Sequence, residues 1–243
     1  MKHFGSIMGK SAAYGVALLA ASIVSSLQAQ TQQGSATAFD VKGSADYSVG
    51  GGTWSPLRGG TELKAGATVR TGADSRADLD LKINGPTVRL AANTTLGIDK
   101  LLYEKTGVDN VIETQLDLKA GTIAARVDKS SASSKYEVKT PNAVVGVRGA
   151  AEVAISADGK TAVKTGSAVV VHVDSSGKTT TFVVNGGQSF DPTVPGVRPG
   201  TQPELDSVAP PRPPAAGVPV VLYEPSRIPY VSEFSPKDVA RGD

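Results

Sequence analysis

Between Gly60 and Gly149 the chain repeats one pattern: short runs of alternating apolar and polar residues, each closed by a glycine-bearing turn. A period of two sends successive side chains to opposite faces of a sheet, and glycine supplies backbone conformations that other residues resist. Leu79-Asp80-Leu81-Lys82-Ile83, the turn Asn84-Gly85 and Val88-Arg89-Leu90 read as a hairpin. Val111 to Leu118 and Ile123 to Val127, on either side of Lys119-Ala120-Gly121, read as a second. Val153-Ala154-Ile155 with Thr161 to Lys164, about Asp158-Gly159, and Ala168 to Val173 with Thr179 to Val184 read as two more. Strands at a spacing of about 8–12 residues predict an all-β fold, antiparallel hairpins stacked as a twisted β-sandwich or solenoid-like domain. Leu63-Lys64-Ala65-Gly66 and Leu118-Lys119-Ala120-Gly121 share one form, and each glycine is expected at a positive φ or a tight corner.

The two ends differ from this middle. Lys2 and Lys10 precede and enter a mostly small, apolar stretch, Ala12 to Val24, and Leu27-Gln28-Ala29 ends it on a small residue. That is the pattern of a signal peptide over residues 1–29, which places the mature chain in the periplasm or outside the cell. The apolar run falls short of the about 20 residues of a comfortable span, so no stable membrane span is expected once it is cleaved. Gln30 to about Thr37 reads as a disordered polar leader, and residues 38–190 as the β-domain. From Asp191 to Asp243 twelve of the fifteen prolines crowd in, predicting a largely irregular extension without ladders or helices. Within it Pro210-Pro211-Arg212-Pro213-Pro214 favours a polyproline conformation, while an apolar cluster from Val218 to Phe234 is suited to docking.

Charge and cysteine content exclude several functions. Residues 1–29 hold two lysines and no acid, so removing them lowers the 25 cationic side chains to 23, equal to the 23 Asp and Glu. A balanced surface gives no footprint for nucleic acid or anionic lipid. The chain has no cysteine, which excludes disulfide staples, thiol chemistry and cysteine-ligated zinc.

Candidate site residues are few. Arg148 follows Val144-Val145-Gly146-Val147 and sits between Gly146 and Gly149. Its fork suits a partner's carboxylate or phosphate, or, as the favoured reading, an internal pair with Asp78, Asp80 or Glu152 or bonds to backbone carbonyls. Gly146 and Gly149 are expected to permit close approach or a bulge beside it. Trp54, the only tryptophan, follows Gly50-Gly51-Gly52 and either stacks on a sugar or, preferably, covers the core. Asn93-Thr94-Thr95 reads as a turn bonded to backbone rather than a glycan contact. His172 alternates within a valine-rich strand, and Asp78 with Asp80 lie about 7 Å apart on one strand face. Neither His172, the one histidine outside residues 1–29, nor that carboxylate pair, read as exposed charges, makes a catalytic constellation, so no catalytic residue, metal or cofactor is expected.

In order and spacing these pieces resemble the FecR domain. Gly60-Thr61-Glu62-Leu63 with Gly66, Thr71-Gly72-Ala73-Asp74-Ser75, the Leu79 to Leu90 hairpin, Ala92-Asn93-Thr94-Thr95-Leu96, and Thr140-Pro141 through Val147-Arg148-Gly149 carry the likeness over about residues 58–155. The resemblance implies an exported β-rich domain. In the family's sensor-regulators of iron uptake, that domain links an outer-membrane receptor to a cytoplasmic anti-sigma segment across the inner membrane. Here eleven residues precede the apolar run, the proline-rich extension stands where a receptor-docking subdomain would, and Ala150 replaces the usual threonine. Transmembrane signalling is therefore not expected. The function expected is non-catalytic: a binding or scaffold module of the cell envelope that recognises a protein or polysaccharide. The alternatives are a sensor-regulator subunit working with a separate membrane partner and, last, an exported hydrolase.

Overall fold

A computed structural model describes residues 30–106, 110–128 and 131–212. The expected signal peptide and the apolar cluster beyond Val218 lie outside the described residues. Among the described residues no helix is long and apolar enough to cross a membrane.

The fold is all-β. The strands are β1 (Thr31–Gln33), β2 (Ala36–Lys42), β3 (Ala45–Val49), β4 (Ser55–Pro56), β5 (Glu62–Leu63), β6 (Ala67–Thr71), β7 (Arg76–Asp80), β8 (Thr87–Leu90) and β9 (Thr95–Lys105). They continue as β10 (Asn110–Ala120), β11 (Thr122–Val127), β12 (Lys135–Lys139), β13 (Ala143–Ser156), β14 (Thr161–Val173), β15 (Thr179–Asn185), β16 (Gln188–Phe190) and β17 (Val197–Pro199), followed by helix α1 (Gln202–Ser207). All belong to one continuous sheet that curls back on itself.

Two arms meet at the long hairpin of β13 and β14. One arm runs β5–β2–β7–β8–β11 and joins the second half of β13 through Thr122–Ser156 to Val127–Ala151. The other runs β4–β3–β6–β9–β10–β12 and joins the first half through Tyr136–Val147 to Lys139–Val144. Alternation puts one side-chain set from each arm into a shared core: Leu79, Val88, Leu90 and Ile123 meet Val69, Leu96, Leu116 and Leu118, all fully buried. Each such aliphatic side chain contributes about 1.5–3 kcal/mol of burial free energy.

The L-K-A-G repeat marks where the chain changes arms. Leu63 still pairs with β2, while Ala67 begins a strand that pairs with β3 and β9. Leu118 pairs with β9, while Thr122 begins a strand that pairs with β8 and β13. The glycines turn these corners at φ 89° (Gly66) and 79° (Gly121). The hairpin expected from residues 111–127 is therefore a corner: β10 and β11 pair with other strands, and β10 runs parallel to β12.

Other expectations meet a mixed outcome. The β7–β8, β13–β14 and β14–β15 hairpins form. The first closes through a 3-10 turn at Lys82–Asn84 rather than a two-residue Asn-Gly turn, and Ile83 is not in a strand. Leu81 is pulled into the core, which lengthens the loop. The polar leader is not irregular, since β1 forms a ladder with Leu102–Glu104 of β9; its three residues are exposed, and the Tyr103 hydroxyl donates to Gln32 Oε1 at 2.6 Å beside the ladder.

The extension is more ordered to Arg212 than its proline content implies. β17 pairs with β16, and α1 opens with a capping box in which Thr201 and Glu204 satisfy each other's backbone groups, with Pro203 in the first turn. The proline occupies a position that needs no donor. The chain then crosses the outer face of the first arm as a strap. Beneath it lies one cross-strand row, Asp78–Arg89–Ala124–Ala154–Ala162–Ser189. Glu204 accepts from Ser189 Oγ at 3.2 Å, Val208 packs on Ala154 and Ala162, Arg89 donates to the Ala209 carbonyl at 3.1 Å, and Thr87 Oγ1 donates to that of Pro211 at 2.6 Å. The alanines leave the depth the strap fills.

Candidate partner-binding surface

Arg148 sits near the middle of β13, where pairing with β14 shifts register between Arg148 and Glu152. Gly149, at φ 65°, makes that bulge possible. Gly146 takes no part in it, a Cβ there lying 4.0 Å from the Val169 carbonyl; the close approach is at Gly166 on β14, where a Cβ would meet the Ala150 carbonyl at 2.2 Å. Thr140 prepares the strand entry: its N–H donates to the Ala143 carbonyl and its hydroxyl accepts from the Ala143 N–H.

The expected internal pair of Arg148 does not form. Asp78 is held by Arg89 through two bonds of 2.7 Å, and Glu152 by Arg126. Of the strand arginines among the described residues, Arg70, Arg76, Arg89, Arg126 and Arg198 each hold a carboxylate. Arg148 alone holds none, and it is exposed. Its guanidinium keeps its full set of donors for another molecule.

What lies beside it was not singled out in the sequence. On the outer face of β12–β15 three cross-strand rows are Lys139–Val144–Val171–Thr181, Glu137–Gly146–Val169–Val183 and Arg148–Ser167–Asn185. Val144 is 37% and Val183 51% exposed, with Val169 and Val171 half-buried between them. The result is a flat valine face bordered on one side by charged residues of β12 and at one corner by the free arginine. Its signal in the sequence is that valines in Val169-Val170-Val171 and Val183-Val184 occupy both parities of the strands, so one set must face outward.

Trp54 lies elsewhere. Its ring stacks at 4.1 Å on the Arg70 guanidinium, which is bonded to Asp46, and it stands 37% exposed rather than over the core. β6, which carries Arg70, does not pair with β13, so the structure does not bring Trp54 and Arg148 into one site. Thr94 is buried and exchanges bonds with Thr122, donating to its carbonyl and accepting from its N–H at 3.1 Å, as a turn residue does. Asp78 is buried rather than exposed, because Arg89 neutralises it; Asp80 accepts from the Lys82 N–H. His172 is half-buried with its ring 5.7 Å from Phe190.

A model of the family described as FecR protein matches residues 67–189, a span that runs from β6 through the valine face to β16. No curated protein matches the chain.

Proposed function

Because the chain belongs to the FecR family, we propose that it is a non-catalytic recognition module of the cell envelope. Its contact surface is the outer face of β12–β14 with Arg148 at the corner. The observation that carries this reading is the unpaired, exposed guanidinium beside an exposed valine face, in a sheet whose other strand arginines are all neutralised. Apolar area with one directional charge is the composition of a specific contact: the valines supply burial and the arginine fixes orientation on a carboxylate or phosphate. The partner is an envelope protein or an anionic polysaccharide, met in the periplasm or outside the cell. Trp54 is a second, separate contact, presented on Arg70 at the far end of the other arm.

The test is capture from an envelope fraction by the wild-type chain, by Arg148→Glu and by Val144→Asp. Both variants are expected to melt within about 0.5 kcal/mol of wild type, as exposed substitutions do, and to lose the captured protein or polysaccharide. Equal capture by all three, or none by wild type, would refute the assignment.

Family membership also favours a sensor-regulator role, since the FecR family is associated with envelope signalling and iron-uptake regulation. In that reading the same face meets the signalling partner. Deleting the gene would then alter transcription of iron-uptake or envelope-stress genes, whereas a scaffold would leave it unchanged.

A further inference from the structure

We propose that β15 pairs with β15 of a second copy of this chain across a two-fold axis through Thr181, an inference independent of the function assigned to the valine face. The backbone sets the register. The Asp174 N–H donates to the Lys178 carbonyl at 3.1 Å and closes the β14–β15 turn. From that bonded pair, ladder bonds alternate to His172–Thr180, Val170–Phe182 and Ala168–Val184. Thr179, Thr181 and Val183 therefore turn their N–H and C=O groups away from β14. The next N–H in the series, that of Asn185, is taken by the Gln188 side chain at 2.9 Å, and β17 fills the lane beyond by pairing with β16. Among the described residues the free edge thus runs from Thr179 to Val183, and Thr181 is its centre.

This edge lacks the usual protection. Exposed edges in soluble proteins are short or carry charge, proline or a bulge. β4 and β5 have two residues each, and β4 contains Pro56. β15 has seven residues, TTTFVVN, with no charge and no proline, and high strand propensity from Thr179 to Val184.

The edge is complementary to itself. An antiparallel copy related by a two-fold through Thr181 sets Thr181 against Thr181, Thr179 against Val183 and Thr180 against Phe182. Three residues on each side, each with one outward N–H and one outward C=O, close about six hydrogen bonds. Threonine opposite threonine and threonine opposite an apolar residue are favourable cross-strand neighbours. The nearest charges, the two Lys178 side chains, fall opposite Val184 of the other copy. They stand about 20 Å apart by strand rise, well beyond the about 8 Å screening length in physiological salt. Pairing in the plane of the sheet leaves both valine faces open and joins them side by side.

Sedimentation equilibrium of the purified chain over a range of micromolar concentrations tests the proposal. Wild type is expected to show a monomer–dimer equilibrium. Thr181→Lys and Thr181→Asp each place like charges on the axis and are expected to weaken the dimer at least about tenfold, with melting of the monomer unchanged. An equimolar mixture of the two variants is expected to dimerise again, because only self-opposition at 181 brings the lysine to the aspartate. A wild type that stays monomeric, a Thr181→Lys chain that dimerises as well as wild type, or a mixture that remains monomeric would each overturn the proposal.

Discussion

If the L-K-A-G repeat marks two corners of the same kind, alanine at each glycine separates what they share from what they do not. Gly66 and Gly121 both have φ near the left-handed region, 89° and 79°. Placing an L side chain there costs about 1–2 kcal/mol from the backbone alone. At Gly66 a Cβ would meet nothing within 4 Å, so Gly66→Ala is expected to cost only that amount. At Gly121 a Cβ would lie 2.3 Å from Thr94 Oγ1, 2.5 Å from Thr94 Cα and 2.7 Å from the Asn93 carbonyl, mostly backbone that cannot rotate aside. Overpacking of that kind adds about 1–3 kcal/mol, giving about 2–5 kcal/mol in all. Displacing Thr94 also strains its two bonds to Thr122, which tie the β8–β9 connection to β11. Urea unfolding followed by far-UV circular dichroism, with m-values compared to confirm a common reference state, measures both variants. Equal losses at the two sites would refute the argument that the 118–121 corner is held by contact across the arms.

Other substitutions probe the strap and the two charged sites. Asp78→Asn leaves Arg89 without its carboxylate in a mostly buried position and is expected to cost about 3 kcal/mol in thermal unfolding, the low end for a broken buried pair because Arg89 retains some solvent contact. Glu204, held by Arg198, its pKa lowered further by the Thr201 N–H and hydroxyl, has its pKa depressed to about 2. Its folded value lies below the unfolded one near 4.5, so the stabilisation is complete above about pH 4.5 and is lost as pH falls towards 2. Hydrogen exchange at Leu205 to Ala209 is expected to rise across that window while β13 stays protected; a strap that loosens on raising the pH instead would contradict this. Arg70→Ala removes the cation under Trp54 and is expected to cost at most about 1 kcal/mol, with a red-shifted tryptophan emission more readily quenched by acrylamide. Unchanged emission would show that the stacking does not persist in solution.

The sheet was legible where local signals agree with the tertiary structure. Alternation and glycine turns gave three of four hairpins because each turn closes on its own neighbours. The exception, residues 111–127, looks locally like a hairpin, and nothing in its sequence says that β11 continues onto β8 and β13. Long-range pairing decided it. Gly146 and Gly149 were expected to permit close approach or a bulge; the bulge forms at Gly149, whereas the crowding is at Gly166, opposite it on the next strand. The partner of Arg148 could not be read from sequence, because Asp78 and Glu152 are equally near several arginines until register assigns them to Arg89 and Arg126. Proline density predicted an extension without ladders or helices, yet a proline in a helix's first turn breaks nothing, and the alanine row that seats the strap is assembled from separate strands.

The outer face around Arg148 is the surface proposed to meet the partner. A photoreactive side chain installed at Val144 is compared in living cells with one at the exposed Arg58, in the β4–β5 connection. A crosslinked envelope component is expected at 144, absent at 58 and lost when Arg148→Glu is added. Crosslinks of the same identity and yield at both positions, or at 144 regardless of residue 148, would contradict it.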